Sequence, residues 1–256
     1  MNRAIVTVDH VDFIYQERSA ETLAIQDLSF AVMDGEFVSI VGPSGCGKTT
    51  LLSLLAGLIP PTRGTVRLLG AEPGETRSVG YMLQRDHLLD WRTVEENVLL
   101  GLTVRHMCTP ERRDHALTLL DRYGLGGFRA HYPRALSGGM RQKVALIRTL
   151  ALDPPLLLLD EPFSALDYQT RLTLADEVYD IIRREHKTAI LVTHDIAEAL
   201  SMSHRVLVFT ERPARLKSEH VMAFDQAVPP LHRRNDPQFP GYFNTIWREL
   251  TDHGDH

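Results

Sequence analysis

The sequence predicts an α/β fold: a mostly parallel sheet wrapped by helices, an antiparallel side sheet near the N-terminus, and a helical insert in the middle. Three observations lead there. Short apolar, β-branched runs at 37–41, 156–159 and 188–193 alternate with helical patterning, as strands buried on both faces do. Runs at 4–15, 28–32 and 65–69 alternate in polarity between turn residues, which suits antiparallel strands with one wet face. From 86 to about 150 the strand signals give way to helix starts.

Each element has its own signal. Phe37-Val38-Ser39-Ile40-Val41 runs into a Gly-rich turn, and 49–58 then reads as a helix. Thr93 and Glu96 have the spacing of a capping box. Thr109-Pro110 opens another helix, with Thr as N-cap, Pro in the first position and Gly124 near the end. Over 171–185, Leu172, Ala175, Val178 and Ile182 fall on one helical face. Asp236-Pro237 starts a last helix whose Phe239, Tyr242, Phe243, Ile246, Trp247 and Leu250 share a face. The chain divides into a unit over 1–215, carrying the insert at 86–150, and a C-terminal extension over 216–256.

With 256 residues there is room for one large α/β domain. A content of 43% hydrophobic and 24% charged residues is that of a soluble, core-forming chain. The net charge of −5 demands no basic face, so no nucleic-acid partner is expected. Two cysteines, Cys46 and Cys108, do not build a disulfide framework, which points to a reducing cytosolic compartment. No signal peptide is apparent, and no apolar run approaches the roughly 18 residues of a membrane span, so any span belongs to another chain.

Gly42-Pro43-Ser44-Gly45-Cys46-Gly47-Lys48-Thr49 matches G-x-x-x-x-G-K-[ST] at every fixed position, with a strand before and a helix after. Glycines let backbone N–H groups close around phosphate oxygens, and the helix N-terminus, where Thr50 joins the set, adds partial positive charge. Lys48 then reaches the β- and γ-phosphates of ATP, and the Thr49 hydroxyl ligates Mg²⁺. Cys46 stands where a nucleophile elbow would need glycine, so this is a phosphate loop and Cys46 its filler. Leu156-Leu157-Leu158-Leu159-Asp160-Glu161 is an apolar strand ending in two acids. Asp160 is placed to hold the Mg²⁺ hydration shell and Glu161 to deprotonate the attacking water. A lone strand ending in acids is ordinarily a solvated terminus; the phosphate loop changes that reading. Ser137-Gly138-Gly139 before a helix combines an N-cap with exposed N–H groups, a second anion site on one chain. Asp252, His253, Asp255 and His256 could bind a metal, but a frayed terminus is the plainer reading.

Together these motifs resemble the ABC ATPase family over about residues 4–215. Leu136-Ser137-Gly138-Gly139-Met140 resembles its signature sequence, with Met140 where Gln is usual. The resemblance implies a P-loop NTPase (RecA-like) core in the ABC ATPase fold, with ATP and Mg²⁺ as ligands. It places Tyr15 against adenine, Gln84 at the Q-loop beside Mg²⁺, Asp167 in a D-loop (Ser164-Ala165-Leu166-Asp167), and His194 near the γ-phosphate. It also implies a head-to-tail homodimer in which Ser137, Gly138 and Gly139 of one subunit close on ATP held by the other. Taken alone, each of Tyr15, Gln84, Asp167 and His194 has a structural reading, as a strand aromatic, surface polar group or core histidine; their joint order favours function.

Gly80-Tyr81-Met82-Leu83-Gln84, the stretch Leu88-Leu89-Asp90-Trp91-Arg92-Thr93-Val94-Glu95-Glu96-Asn97-Val98, and the tail around His232-Arg233-Arg234-Asn235-Asp236-Pro237 look like ATPases of nitrate, sulfonate, taurine and bicarbonate importers. That subgroup implies two transmembrane permease subunits, a substrate-binding protein acting indirectly, and a peripheral location on the cytoplasmic face of the plasma membrane. Leu88, Leu89 and Trp91 are expected to form one apolar cluster that meets a permease subunit. The alternatives are a soluble ABC ATPase acting on ribosomes or DNA, which would commonly carry paired domains or a long coiled-coil insert, and the ATPase of an exporter. One set of motifs and no heptad insert stand against the first.

Overall fold

Strand β3 (Phe37–Val41) is buried along its whole length, and so are β6 (Leu156–Asp160) and β7 (Thr188–Val192). Such strands need cover on both faces, and the helices supply it. In the computed structural model, which describes residues 3–16, 20–71 and 79–251, they lie in a six-stranded sheet of order β5-β6-β7-β3-β8-β9. Strands β5 (Val79–Met82), β6, β7, β3 and β8 (Arg205–Phe209) run parallel; β9 (Leu216–Val221) closes the edge antiparallel to β8. The sequence reading placed no strands at β5, β8 or β9. The acidic and histidine residues of the terminal tail, 252–256, lie outside the described residues.

The antiparallel side sheet has the order β2-β1-β4, from β1 (Ala4–Gln16), β2 (Glu21–Met33) and β4 (Arg63–Leu68). Its inner face shares a core with the first helix, α1 (Lys48–Leu55), and with β3, β6 and β7. Helix α1 stops at Leu55, short of the expected 58, where Gly57 at φ 69° turns the chain and leaves Leu58 exposed.

Between β5 and β6 the chain is helical: α2 (Val94–Val104), α3 (Pro110–Arg122), two short 3-10 turns, and α4 (Gly138–Leu150). Thr93 and Glu96 form the full capping box, and Thr109 caps α3 with Pro110 in the first turn. Helix α5 (Tyr168–Arg184) buries Leu174, Ala175, Val178, Tyr179, Ile181 and Ile182; the expected Leu172 is only half-buried. Helix α6 (Ile196–Met202) follows β7. After β9 come α7 (Pro230–Arg233) and α8 (Phe239–Thr251), with Phe239 and Ile246 buried against α6 and β8. Trp247 departs from the expected buried face: it is 53% exposed, stacked on Phe243. Among the described residues no helix is long and apolar enough to cross a membrane.

Candidate functional site

Four adjacent parallel strands, β5-β6-β7-β3, deliver the predicted residues to one edge of the sheet. The phosphate loop follows β3, Asp160 ends β6 with Glu161 next, His194 lies just beyond β7, and Gln84 lies just beyond β5. The carboxyl ends of parallel strands form the ligand crevice of such sheets.

Helix α1 starts on Gly47 with no side-chain cap, so its first-turn N–H groups are left for an anion. Gly47 has φ 128°, and a Cβ there would lie 2.9 Å from the Ala24 carbonyl oxygen, so only glycine serves. Lys48 Nζ donates to the carbonyls of Gly42 at 2.7 Å and Pro43 at 2.9 Å, which holds its ammonium inside the loop. Ser44, Gly45 and Thr49 are exposed at the crown. Burial pushes the Cys46 thiol up against the pull of Lys48, so it stays neutral filler packed near Gly42. Tyr15 Oη lies 3.0 Å from Thr50 Oγ1, its ring edge-on to Phe13 and 44% exposed, leaving an open aromatic surface beside α1.

Thr49 Oγ1 donates to Asp160 Oδ1 at 3.5 Å and Tyr81 Oη donates to Oδ2 at 3.4 Å. Burial pushes the Asp160 carboxyl up and the neighbouring Glu161 charge adds to this, while Thr49, Tyr81 and Lys48 oppose it. A hydroxyl beside a half-desolvated carboxylate is a hard-oxygen donor set, and it fits Mg²⁺, which keeps most of its shell as water and phosphate oxygen. Glu161 has φ 45°, a strained backbone for a non-glycine residue. Its carboxylate is bracketed: Gln84 Nε2 donates to Oε2 at 3.2 Å, and His194 Nδ1 lies 3.3 Å from Oε1. Gln84 also reaches Ser164 Oγ at 3.4 Å. Among the described residues Gln84 makes no hydrogen bond to Thr49 or Asp160; its amide bonds Glu161 and Ser164.

Ser137 caps α4, accepting the Met140 N–H at 3.3 Å, and Ser137 and Gly138 face outward. A Cβ at Gly138 would meet Leu166 at 2.9 Å, so this turn packs directly on the segment 164–167. Asp167 caps α5 through the Thr170 N–H at 3.0 Å, and the Thr170 side chain, together with that N–H, holds its carboxyl below the usual range. No hydrogen bond or ion pair among the described residues links Ser137, Gly138 or Gly139 to the phosphate loop. The Ser137 turn therefore stands apart from the phosphate loop.

Several residues at the site had no signal in the sequence. Arg212, from the turn after β8, donates to the Gly45 carbonyl at 2.8 and 3.2 Å and pins the phosphate loop across 167 positions. Arg148 donates to the carbonyls of Asp86 and His87, and Arg141 pairs with the Asp86 carboxylate, tying the segment after Gln84 to α4. Burial pushes the Asp86 carboxyl up, but Arg141 and the Leu88 N–H win and hold it below the usual range.

The sequence pattern of the ABC transporter family matches residues 25–164. The ABC transporter ATP-binding protein YtlC of Bacillus subtilis is 48% identical over 95% of this chain and 94% of its own. The taurine import ATP-binding protein TauB of Yersinia pestis is 41% identical over 84% of this chain and 87% of its own. Among solved structures, the dimeric bacterial ABC transporter cassette MJ0796 superposes with a TM-score of 0.73 at 30% identity, covering 86% of this chain and 100% of that one. Its dimeric post-hydrolysis state, bound to ADP and Pi, superposes with a TM-score of 0.72 at 29% identity. With its fold, its phosphate loop and its strand-end acids in place, the chain belongs to the ATP-hydrolysing subunits of the ABC transporter family.

Proposed function

We propose that this chain powers solute import as a head-to-tail homodimer beneath two transmembrane permease subunits, on the cytoplasmic face of the plasma membrane. The solute is a small anion or related compound of the nitrate, sulfonate or taurine type, delivered by a substrate-binding protein. The likeness to TauB supports the import direction and the solute class. The likeness to the dimeric MJ0796 cassette supports the pairing.

The bracketed Glu161 carboxylate carries the mechanism. ATP phosphates lie on the loop 42–47 and the first turn of α1, with Lys48 supplying charge to the β- and γ-phosphates. Tyr15 stacks on the base. Thr49 and Asp160 would hold Mg²⁺, which would supply neutralising charge to the phosphates. Glu161 takes a proton from water as that oxygen bonds to the γ-phosphorus and the bond from phosphorus to the β,γ-bridging oxygen breaks, giving ADP and phosphate. Gln84 and His194 hold the carboxylate from its two sides, and His194 faces the γ-phosphate. Ser137, Gly138 and Gly139 of the partner close on the same phosphate, with Asp167 at the pairing surface.

Glu161→Gln keeps the shape, removes the base and stops discharge of the sandwich. In ATP and Mg²⁺ it accumulates as a dimer in gel filtration with light scattering. Adding Ser137→Arg fills the anion site and returns the protein to ATP-bound monomer. A dimer indifferent to Ser137→Arg overturns the head-to-tail pairing. Purification of the native complex tests the partners: importer-type membrane subunits are expected, and exporter-type subunits, or none, overturn the import reading.

A further inference from the structure

Arg171 lies in the first turn of α5 and touches two segments at once. Its Nη2 donates to the Leu166 carbonyl at 3.2 Å, inside the segment 164–167. Its Nη1 lies 3.5 Å from Asp195 Oδ2, the residue after His194. Asp195 is itself built into the turn that carries His194. Its Oδ1 accepts the Glu198 N–H at 3.0 Å, and its own N–H donates to Thr193 Oγ1 at 3.1 Å. Thr193 in turn donates to Glu198 Oε2 at 3.0 Å. The turn 193–198 is therefore cross-linked by its own hydrogen bonds, and Asp195 is the residue of it that Arg171 reaches.

Stability does not explain this arrangement. A single contact at 3.5 Å between side chains that are 23% and 26% exposed contributes little to folding. Arg171 Nε is buried with no hydrogen-bond partner among the described residues, which is a cost. A methionine would pack the same stem without it.

We propose that Arg171 and Asp195 form a latch that sets His194 against Glu161 according to where the backbone of segment 164–167 lies. This rests on the reading in which His194 acts at the γ-phosphate and segment 164–167 faces the partner subunit. Under that reading, engagement of the partner shifts Leu166, the guanidinium carries the shift to Asp195, and the contact between His194 and Glu161 follows. Arg171 and Asp195 are positioning residues; neither touches Glu161.

The test is a double-mutant cycle on ATPase kinetics of the full chain. Arg171→Met keeps the stem but removes both the ion pair and the bond to the Leu166 carbonyl, whereas Asp195→Asn keeps the helix cap and removes the ion pair alone. Each single variant is expected to lower kcat about tenfold, with KM for ATP within about twofold, and the double variant is no slower than the slower single. Arg171→Lys retains charge but not the fork, and recovers part of kcat. Multiplying losses in the double variant, unchanged kcat in both singles, or a loss carried by KM overturns the latch. A kcat loss that merely tracks a lowered melting temperature, without rescue by lysine, also overturns it. His194→Ala separates the two readings. Full turnover there refutes the role of His194, whereas an additive cycle with an inactive His194→Ala refutes only the latch.

Discussion

Glu198 is 4% exposed, one turn beyond His194, and its Oε1 has no hydrogen-bond partner among the described residues. Burial pushes its carboxyl up to about 8, the Asp195 charge adds to this, and Thr193, Arg171 and Arg234 oppose it. Between its ordinary value of 4.5 and about 8 the folded protein keeps a proton that the unfolded chain has released. Folding then binds a proton, so this group lowers stability as pH rises through that window. Glu198→Gln keeps an acceptor for Thr193 and removes the ionisation. Its melting temperature is expected to exceed that of the parent at pH 8 and to lose most of that advantage at pH 5, by calorimetry. An equal difference at both pH values would show that the folded carboxyl titrates normally. Lys48 is simpler: its ammonium sits inside the phosphate loop. Lys48→Ala is expected to lower hydrolysis by at least about a hundredfold and to weaken ATP binding, with an unchanged circular-dichroism spectrum. Near-normal turnover with that spectrum would remove the loop from the mechanism.

At the scale of an element, the segment between Gln84 and α2 shows how one buried polar group decides a surface. Asn97 is fully buried; its amide donates to the carbonyls of Leu89, Arg92 and Thr93, and its Oδ1 accepts the Leu89 N–H at 2.7 Å. Both amide N–H groups and the Oδ1 are thus engaged in bending this stretch. The bend divides the expected apolar cluster: Leu88 joins the core, Leu89 is half-buried, and Trp91 points outward at 74% exposure. A large aromatic left in water on a rigid turn is a fit anchor for a permease subunit. Trp91→Ala is expected to lower ATP-driven solute uptake by the reconstituted transporter far more than the ATPase rate of the isolated subunit. Equal losses in the two assays would assign Trp91 to the folding of its own chain.

Across the whole molecule, residues 216–251 are bound into the catalytic unit. Strand β9 extends the main sheet, and Arg233 is 1% exposed. Its guanidinium donates to the carbonyls of Val228, Ser201 and Gln226 and to Tyr179 Oη, and it lies 4.5 Å over the Tyr179 ring. No carboxylate pairs with it among the described residues, so carbonyls and a π face carry the charge. Arg233→Met strands several buried acceptors, each worth about 1–3 kcal/mol. A melting temperature lower by roughly 5–10 °C is expected, with ATP still bound by the phosphate loop. An unchanged melting temperature would mean that the tail docks without contributing to stability.

What could be read from the sequence alone was chemistry written in consecutive residues. The phosphate loop, the apolar strand ending in Asp160 and Glu161, the Ser137 turn, and the caps at Thr93 and Thr109 each lie within a few positions, where backbone geometry ties spacing to contact. Strand order was not written that way. That β6 lies between β5 and β7 follows from which strands pair, and this brings Gln84, beyond β5, and His194, beyond β7, to opposite sides of one carboxylate, the former across 77 positions. The positive φ of Glu161, the outward turn of Trp91, and the reach of Arg171, Arg212 and Arg233 to distant carbonyls are decided the same way. Each depends on how helices and strands far apart in the chain settle over one another, and no local spacing carries that information.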